Sequence, residues 1–135
     1  MKKVLTILSG VILLGLASCT KQYVTPGQTN QTIYANVATT DWQPYTDNTN
    51  NKSYDVPITV HELDNGLTQF GGIIVAISYD NGTTYEQLPE VYDGLSYTYT
   101  YNAGNVTLYA QSSDGTTAIQ PTLPIKVKII LVASN

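Results

Sequence analysis

Short stretches in which apolar and polar residues alternate, separated by turn residues, recur from residue 32 to the C-terminal end of the chain. In a β-strand with one buried face, every second side chain points toward the core, so this alternation predicts strands. The clearest stretch is the last one, where Lys126 and Lys128 alternate with four apolar residues: Ile125, Val127, Ile129 and Leu131. A chain patterned in this way folds by packing sheets and not helices.

We predict about seven strands and no helix. Asn81-Gly82 and Ala103-Gly104 mark tight turns between strands, because asparagine and glycine tolerate the positive φ that such turns require. Pro57 lacks a backbone N–H and therefore predicts a sheet edge or a strand start. Gly71 to Tyr79 is almost continuously apolar, which indicates a central strand. The predicted strands are 32–38, 54–61, 71–79, 83–88, 95–102, 105–112 and 125–131.

The resulting fold class is all-β: an antiparallel two-sheet β-sandwich, immunoglobulin-like in outline. The cysteine–tryptophan–cysteine framework of antibody domains is absent, since Cys19 is the chain's only cysteine. We assign this sandwich to residues 33–135, a length that can bury a core without metal or disulfide staples.

The N-terminal segment has a different character. Two lysines precede an apolar run from Val4 to Leu16, which is shorter than the roughly 20 residues that a membrane-spanning helix needs. The run ends in Leu16-Ala17-Ser18-Cys19, which resembles the lipobox of bacterial lipoproteins. The resemblance implies a signal peptide at 1–18, a lipidated Cys19 and a flexible tether to residue 32. An uncleaved N-terminal anchor helix is the alternative.

A lipidated Cys19 implies attachment to the outer membrane. Bacteroidetes-type lipoproteins that reach the outer face tend to carry acidic residues after the cysteine, whereas Thr20-Lys21-Gln22-Tyr23 follows here. This difference favours the periplasmic face over the cell surface. Loss of residues 1–18 with their two lysines would change the formal charge from −4 to −6.

The order of motifs in the C-terminal part is similar to that of uncharacterised Bacteroidetes lipoproteins with a C-terminal β-sandwich domain. The resemblance covers about residues 33–132. This chain lacks the collagen-like stretch that often precedes the domain in those proteins. It implies a fold and a location, but no activity and no site residues. The motifs that carry it are the segments 78–85, 87–89, 96–101, 106–108, 114–116 and 126–130.

Composition excludes several functions. The chain has no arginine, and only four lysines follow Cys19, so binding to nucleic acid through its phosphates is not expected. His61 is the only histidine, and no serine or cysteine motif accompanies it, so we expect neither a metal site nor a cofactor. The Asp-Asn-Gly segments at 64–66 and 80–82 lack the spacing of a calcium loop and predict turns instead.

Candidate ligand-binding residues are the aromatic side chains of loops and outer faces. Trp42 and Tyr45 fall, together with Asp41 and Asp47, in a polar stretch, 39–53, that we predict to be a long loop. Loops on a rigid scaffold often carry binding sites, so this cluster is the best candidate. Tyr92 and Tyr109 are the next candidates. The alternative for Trp42 is that its indole closes one end of the sandwich core.

Tyr97, Tyr99 and Tyr101 form a stripe on one strand face. If Ala103-Gly104 is a two-residue turn, these tyrosines pair with Ala110, Leu108 and Val106 and therefore share the core face. A three-residue loop would turn them outward, either as exposed side chains without a ligand or as a platform on which sugars stack. The two-residue turn leaves a different set facing water: Thr98, Thr100, Thr107, Tyr109 and Gln111.

We therefore expect a lipid-anchored, non-enzymatic envelope protein that acts as a binding or structural interaction module, with an envelope protein or a glycan as its partner. A glycan-binding or adhesion module is the main alternative, and a hydrolase is the second. Glu86 and Glu90 are a conceivable glycosidase pair, but two carboxylates without a cleft are weak evidence. A hydrolase predicts clustered carboxylates with shifted pKa values in a concave pocket.

Overall fold

A computed structural model describes residues 29–134. Within this range the chain forms two antiparallel sheets that enclose one apolar core, so the predicted all-β two-sheet sandwich is confirmed. The immunoglobulin-like outline stays a prediction. The strands are β1 (Gln31–Val37), β2 (Gln43–Thr46), β3 (Lys52–Thr59), β4 (Gly72–Ser78), β5 (Glu86–Gln87), β6 (Glu90–Tyr92), β7 (Leu95–Asn102), β8 (Asn105–Ser112) and β9 (Ile125–Val132).

The first sheet, called sheet A, has the strand order β1-β9-β4-β5. Ile33 pairs with Ile129, and Ile129 pairs with Val75 on its other side, so the three strands present their apolar residues in common rows. The predicted alternation in β9 is confirmed, because Ile125, Val127, Ile129 and Leu131 are buried while Lys126 and Lys128 face outward.

The second sheet, called sheet B, has the strand order β2-β3-β8-β7-β6. Asn102 pairs with Asn105 around Ala103-Gly104, which confirms the two-residue turn, and Gly104 has a φ of +84°. Tyr97 consequently pairs with Ala110 and is buried. The tyrosine stripe therefore lies on the core face, with exposure increasing toward the turn until Tyr101 is 38% exposed.

The absence of any helix was a wrong prediction. Asn65–Phe70 form a short helix, α1, at a place where the sequence indicated only a turn. The carboxylate of Asp64 accepts a 2.7 Å hydrogen bond from the Leu67 backbone N–H, which is the bond of a helix N-cap. Leu67 is buried in the core. The cap and one buried leucine are enough to wind a single turn between β3 and β4.

The long polar loop predicted at 39–53 was also wrong. After a 3₁₀ turn at Thr39–Asp41, the chain forms β2, which pairs with the first half of β3. Asp47 closes this hairpin, because its Oδ1 accepts hydrogen bonds from the backbone N–H groups of Thr49 and Asn51. β2 begins at Gln43, opposite Asp55, so Pro57 of β3 lies beyond this pairing on a free stretch of strand edge, as its missing N–H predicted.

The predicted return strand at 83–88 is reduced to β5, where only Glu86 and Gln87 pair with β4. The preceding turn is wider than a two-residue hairpin. Asp80 Oδ1 accepts hydrogen bonds from the Ser78 hydroxyl and from the N–H groups of Thr83 and Thr84. These bonds satisfy the loop backbone locally and hold it away from the sheet ladder.

The signal peptide at 1–18, the lipidated Cys19 and the tether up to residue 28 lie outside the described residues and stay predictions. Within the described part of the chain, no helix is long and apolar enough to cross a membrane.

Candidate functional site

The outward face of sheet B brings together two of the four aromatic residues predicted to bind a ligand. Tyr45 on β2 pairs with Ser53 on β3, and Tyr109 on β8 pairs with Asp55 on β3. The two tyrosine rings therefore flank β3 on the same side of the sheet. Their centroids are 5.6 Å apart and the rings are tilted by 55°.

A groove of about 280 Å³ lies beside this tyrosine pair. We call it the Tyr45–Tyr109 groove. Its walls combine the two rings with hydroxyl, amide and carboxylate groups from three strands and one turn. The Thr100 hydroxyl lies 3.3 Å from the Tyr109 hydroxyl and helps to fix the position of that ring. The remaining groove residues are Asp47, Asn51, Ser53, Thr98 and Gln111.

The charge in this groove comes from Asp47. Hydrogen bonds from Thr49 and Asn51 favour the ionised carboxylate and hold its pKa below the usual value. Nearby on the same face, partial burial raises the pKa of Asp55. The groove therefore contains acceptors and neutral donors but no cationic group, which suits a hydroxyl-rich ligand better than an anion.

Trp42 lies in the core and not on the binding surface. Its side chain is 2% exposed, and its ring meets Tyr97 edge-on with the centroids 6.1 Å apart. This placement agrees with the alternative in which Trp42 closes the core. Its indole Nε1 is buried and has no hydrogen-bond partner among the described residues.

Tyr92, the fourth candidate, belongs to a different cluster. Its ring is 38% exposed and stacks on Tyr79 with the centroids 4.0 Å apart and the planes 17° apart. The Tyr79 hydroxyl donates a 2.7 Å hydrogen bond to Glu90 Oε1. A shallow pocket of about 350 Å³ lies against this cluster, lined by Ile77, Tyr79, Asp80, Thr84, Glu86 and Tyr92.

The carboxyl group of Glu90 has a shifted pKa. Burial, followed by a hydrogen bond with the Glu86 side chain, raises the pKa of Glu90 to about 7. Burial likewise raises the pKa of Tyr79 well above its ordinary value, with the Glu90 hydrogen bond as the next cause. At neutral pH, Glu90 therefore exchanges a proton readily while Tyr79 stays protonated.

Glu90 meets part of the pattern expected of a hydrolase, namely a shifted pKa beside a pocket. Its close contact with Glu86 does not fit the rest of that pattern. Glycosidase carboxylates stand about 5 Å or more apart so that a sugar or a water molecule fits between them. The hydrogen bond with Glu86 that raises the pKa of Glu90 brings the two carboxyl groups closer together than this spacing.

Asp80 and Asp114 serve turns. Ser112 and Asp114 repeat the arrangement of Ser78 and Asp80, with the serine hydroxyl donating to the aspartate at 2.6 Å. His61 is exposed at the end of β3. Among residues 29–134, no group of three or more histidine, cysteine, aspartate or glutamate side chains could hold a metal ion.

Sequence reasoning placed Asp47 in the candidate binding cluster but missed Asn51 and Ser53 of the Tyr45–Tyr109 groove. Asp47, Asn51 and Ser53 reach it only because β2 and β3 form a hairpin, and that hairpin was read as a loop. The available signal was the segment Asp47-Asn48-Thr49, because an aspartate two residues before a threonine favours a turn closed by its own side chain.

No protein-family model, curated protein or solved structure matches this chain. The case for a function therefore depends on the arrangement of residues in the two sheets.

Proposed function

We propose that this chain is an exported, lipid-anchored, non-enzymatic protein of the bacterial envelope that acts as a binding module through the Tyr45–Tyr109 groove. The observation that carries the proposal is the convergence of Tyr45 and Tyr109, from two different strands, on one outward polar face. The two residues lie 64 positions apart in the sequence, so only the folded sheet brings them together.

The chemistry of the groove favours a glycan as ligand. Aromatic faces attract the weakly positive C–H groups of a sugar ring, and hydroxyl and amide side chains pair with its hydroxyls. Thr98, Thr100 and Gln111 supply these groups from β7 and β8. At about 280 Å³ the groove lies at the small end of ligand sites, so it would hold one sugar unit or a chain end.

The positions of these groups on a sheet also support a binding role. Ligand groups held on paired strands need little ordering when a ligand arrives, which lowers the entropic cost of binding. Tyr109 lies on β8, between β3 and β7, so its backbone is fixed on both sides.

A glycan array probed with the full-length protein in detergent micelles tests the ligand class. We expect retention on a subset of glycans, with Tyr45→Ala and Tyr109→Ala each reducing the affinity about fivefold, since one stacking ring contributes on the order of 1 kcal/mol. Tyr34→Ala is the matched control, because Tyr34 is an exposed tyrosine on sheet A. Retention that survives both groove substitutions would refute the assignment of the site.

Mass spectrometry of the protein purified from membranes tests the anchor. A lipid mass on Cys19 with residues 1–18 removed is the expected result, and Cys19→Ala should move the protein to the soluble fraction. An unmodified Cys19 in a membrane-bound chain would support the uncleaved anchor helix instead.

An envelope-structural subunit is the second candidate function, and one observation favours it. The outer edge of β1 is unpaired, and β3 is free beyond Asp55, so the sandwich is open between these two edges. A groove of about 500 Å³ runs there. Its apolar residues are Ala35, Val37, Val56 and Ile58. Unprotected strand edges pair with other chains.

A photo-crosslinker tests this second candidate. Placed at Thr40, beside the open edge, it should capture one abundant envelope protein, whereas the same group at Thr98 on the outer face of sheet B should not. Equal capture from both positions, or capture that persists in a Cys19→Ala chain released from the membrane, would argue against a structural role in the envelope.

A further inference from the structure

The outer face of sheet A differs in character from that of sheet B. Its rows combine aromatic, basic and aliphatic side chains and contain no carboxylate. The middle row joins Tyr34 on β1 to Lys128 on β9 and Ala76 on β4. The next row toward the start of β1 joins Thr32, Ile130 and Ile74.

Two of the three lysines of the described chain lie on this face. Lys128 Nζ lies 4.3 Å from the centroid of the Tyr85 ring, and Lys126 Nζ lies 5.7 Å from that of Tyr34. Within residues 29–134, the structure gives neither ammonium group an ion-pair partner. Residues 29–134 contain all ten aspartate and glutamate side chains of the chain and only three lysines, so this part of the protein is negatively charged. Two lysines without an ion-pair partner on one face therefore make that face locally positive.

The end of this face nearest the N-terminal segment is apolar. Phe70 is 54% exposed at the end of α1, and Ile74 is 37% exposed on β4. β1 begins at Gln31, which pairs with Leu131, so the chain enters the fold beside this apolar end. Aromatic, aliphatic and lysine side chains in this arrangement are typical of surfaces at a membrane interface, where lysine stems lie along apolar surface and their charges reach the headgroups.

We propose that the domain lies against its own membrane with the outer face of sheet A, and that Lys126 and Lys128 contact anionic lipid headgroups. This inference rests on the proposed lipidation of Cys19. Eleven residues separate Cys19 from Gln31, and a flexible coil of that length would reach about 18 Å on average. A lipid on Cys19 would therefore keep the start of β1 close to the bilayer.

The net negative charge of the protein does not prevent this contact. Interactions with headgroups fall off within a Debye length of about 8 to 10 Å, so the residues on the facing surface dominate. The carboxylates nearest to this face, Asp80 and Glu86, lie at the end of β4 that is remote from the start of β1. Lys126 lies at that same end, because it pairs with Ser78, whose hydroxyl donates to Asp80, so the part of the face from Lys128 to the start of β1 is the part without carboxylates. In the opposite direction, the outer face of sheet B with its Tyr45–Tyr109 groove would point away from the bilayer.

Depth-dependent fluorescence quenching tests the orientation. The full-length lipidated protein is placed in vesicles of phosphatidylglycerol and phosphatidylcholine that contain a headgroup quencher. A fluorophore is attached at Thr32→Cys on sheet A or at Thr98→Cys on sheet B, both exposed, because lipidation leaves no other free thiol. We expect strong quenching at position 32 and weak quenching at position 98.

Charge reversal supplies the decisive comparison. Lys126→Glu with Lys128→Glu should lower the ratio of docked to undocked molecules by about fivefold or more for each lysine, whereas Lys52→Glu, an exposed lysine on sheet B, should leave it unchanged. Lys126→Gln with Lys128→Gln gives a milder version of the same change. Pure phosphatidylcholine vesicles should reproduce the loss without any substitution.

Failure of the docking proposal is distinguishable from failure of the anchor. If the protein floats with the vesicles but both labels are quenched equally, the orientation is refuted and the anchor stands. The same result would refute docking on the membrane if the two lysines bind an acidic polysaccharide and not lipid headgroups, because the sheet A label would then lie no closer to the bilayer than the sheet B label. If the protein does not float with the vesicles at all, the lipid anchor itself is refuted.

Discussion

The hydroxyl of Tyr79 donates a 2.7 Å hydrogen bond to Oε1 of Glu90, and this bond joins the end of β4 in sheet A to the edge strand β6 in sheet B. Tyr92 covers the Tyr79 ring from the solvent side. The contact closes one end of the sandwich with a group that titrates near neutral pH, because burial and the neighbouring Glu86 raise the pKa of Glu90 to about 7.

Stability should depend on pH through this contact. The raised pKa means that folded protein holds the Glu90 proton more tightly than unfolded protein does. The free energy of unfolding should therefore fall as the pH rises from the ordinary value of 4.5 toward about 7. Glu90→Gln keeps an acceptor for Tyr79 but cannot titrate, so it should flatten this slope.

Urea unfolding at several pH values between 5 and 8 measures this effect. Glu62→Gln is the control, since it removes the same charge from an exposed turn. If the Glu90→Gln protein keeps the slope of the unsubstituted protein, the titrating group lies elsewhere.

A second pH dependence, in the acid range, should come from the two serine–aspartate turns. Hydrogen bonds from the Ser78 and Ser112 hydroxyls, together with backbone N–H groups, lower the pKa values of Asp80 and Asp114 to about 2. Their contribution to stability is present above the ordinary value of 3.8 and should be lost as the pH falls toward 2.

Acid unfolding of Asp80→Asn with Asp114→Asn tests these turns. The double variant should be less stable at pH 7 and should lose less stability between pH 4 and pH 2. Asp93→Asn is the control, because Asp93 is exposed and lies at positive φ, which asparagine also tolerates. If the double variant loses as much stability between pH 4 and pH 2 as the unsubstituted protein, Asp80 and Asp114 are not the cause of the acid sensitivity.

Much of the fold followed from local patterns in the sequence. The register of β7 and β8 could be deduced because Ala103-Gly104 sets the turn length, and the turn length decides which side of each strand is buried. The core residues of β9 could be identified in the same way, since the alternation with Lys126 and Lys128 is unbroken.

The errors fall where side-chain hydrogen bonds compete with the pattern. Asp64 starts a helix and Asp47 closes a hairpin, and both bonds depend on how the following residues are placed. β2 has no buried residue, so it carries no apolar period that could reveal it. Prediction of the groove failed at Asn51 and Ser53 for that reason, whereas Asp47 was placed in the candidate cluster and Tyr45 and Tyr109 were identified as aromatic residues.

Trp42 should matter for stability through its volume and not through its N–H group. The ring is buried against Tyr97, and Nε1 lacks a partner among the described residues. Trp42→Ala should lower the free energy of unfolding by about 3 to 5 kcal/mol, the range for deletion of a large buried ring. Trp42→Phe should cost much less, because it keeps most of the ring and removes a buried donor without an acceptor.

Chemical denaturation of both variants provides the comparison, and Tyr34→Ala gives the cost of removing an exposed ring. If Trp42→Phe were as damaging as Trp42→Ala, the N–H group would have to be bonded in solution, and the core position alone would not explain the tryptophan.

The junction between α1 and β4 should tolerate a side chain at one glycine and not at its neighbour. A Cβ atom on Gly71 would lie 2.5 Å from the backbone carbonyl oxygen of Val132 and 3.0 Å from Leu67 Cδ2, whereas a Cβ on Gly72 would meet nothing within 4 Å. Neither residue has a positive φ, so alanine is strained at Gly71 by contact alone.

Because the carbonyl belongs to the end of β9, relief of the clash must move α1 or the strand. Gly71→Ala should therefore reduce stability by about 1 to 3 kcal/mol, the usual cost of overpacking, and Gly72→Ala should be close to neutral. Equal unfolding midpoints for the two variants would show that the end of β9 yields without cost, and that α1 is not held against it.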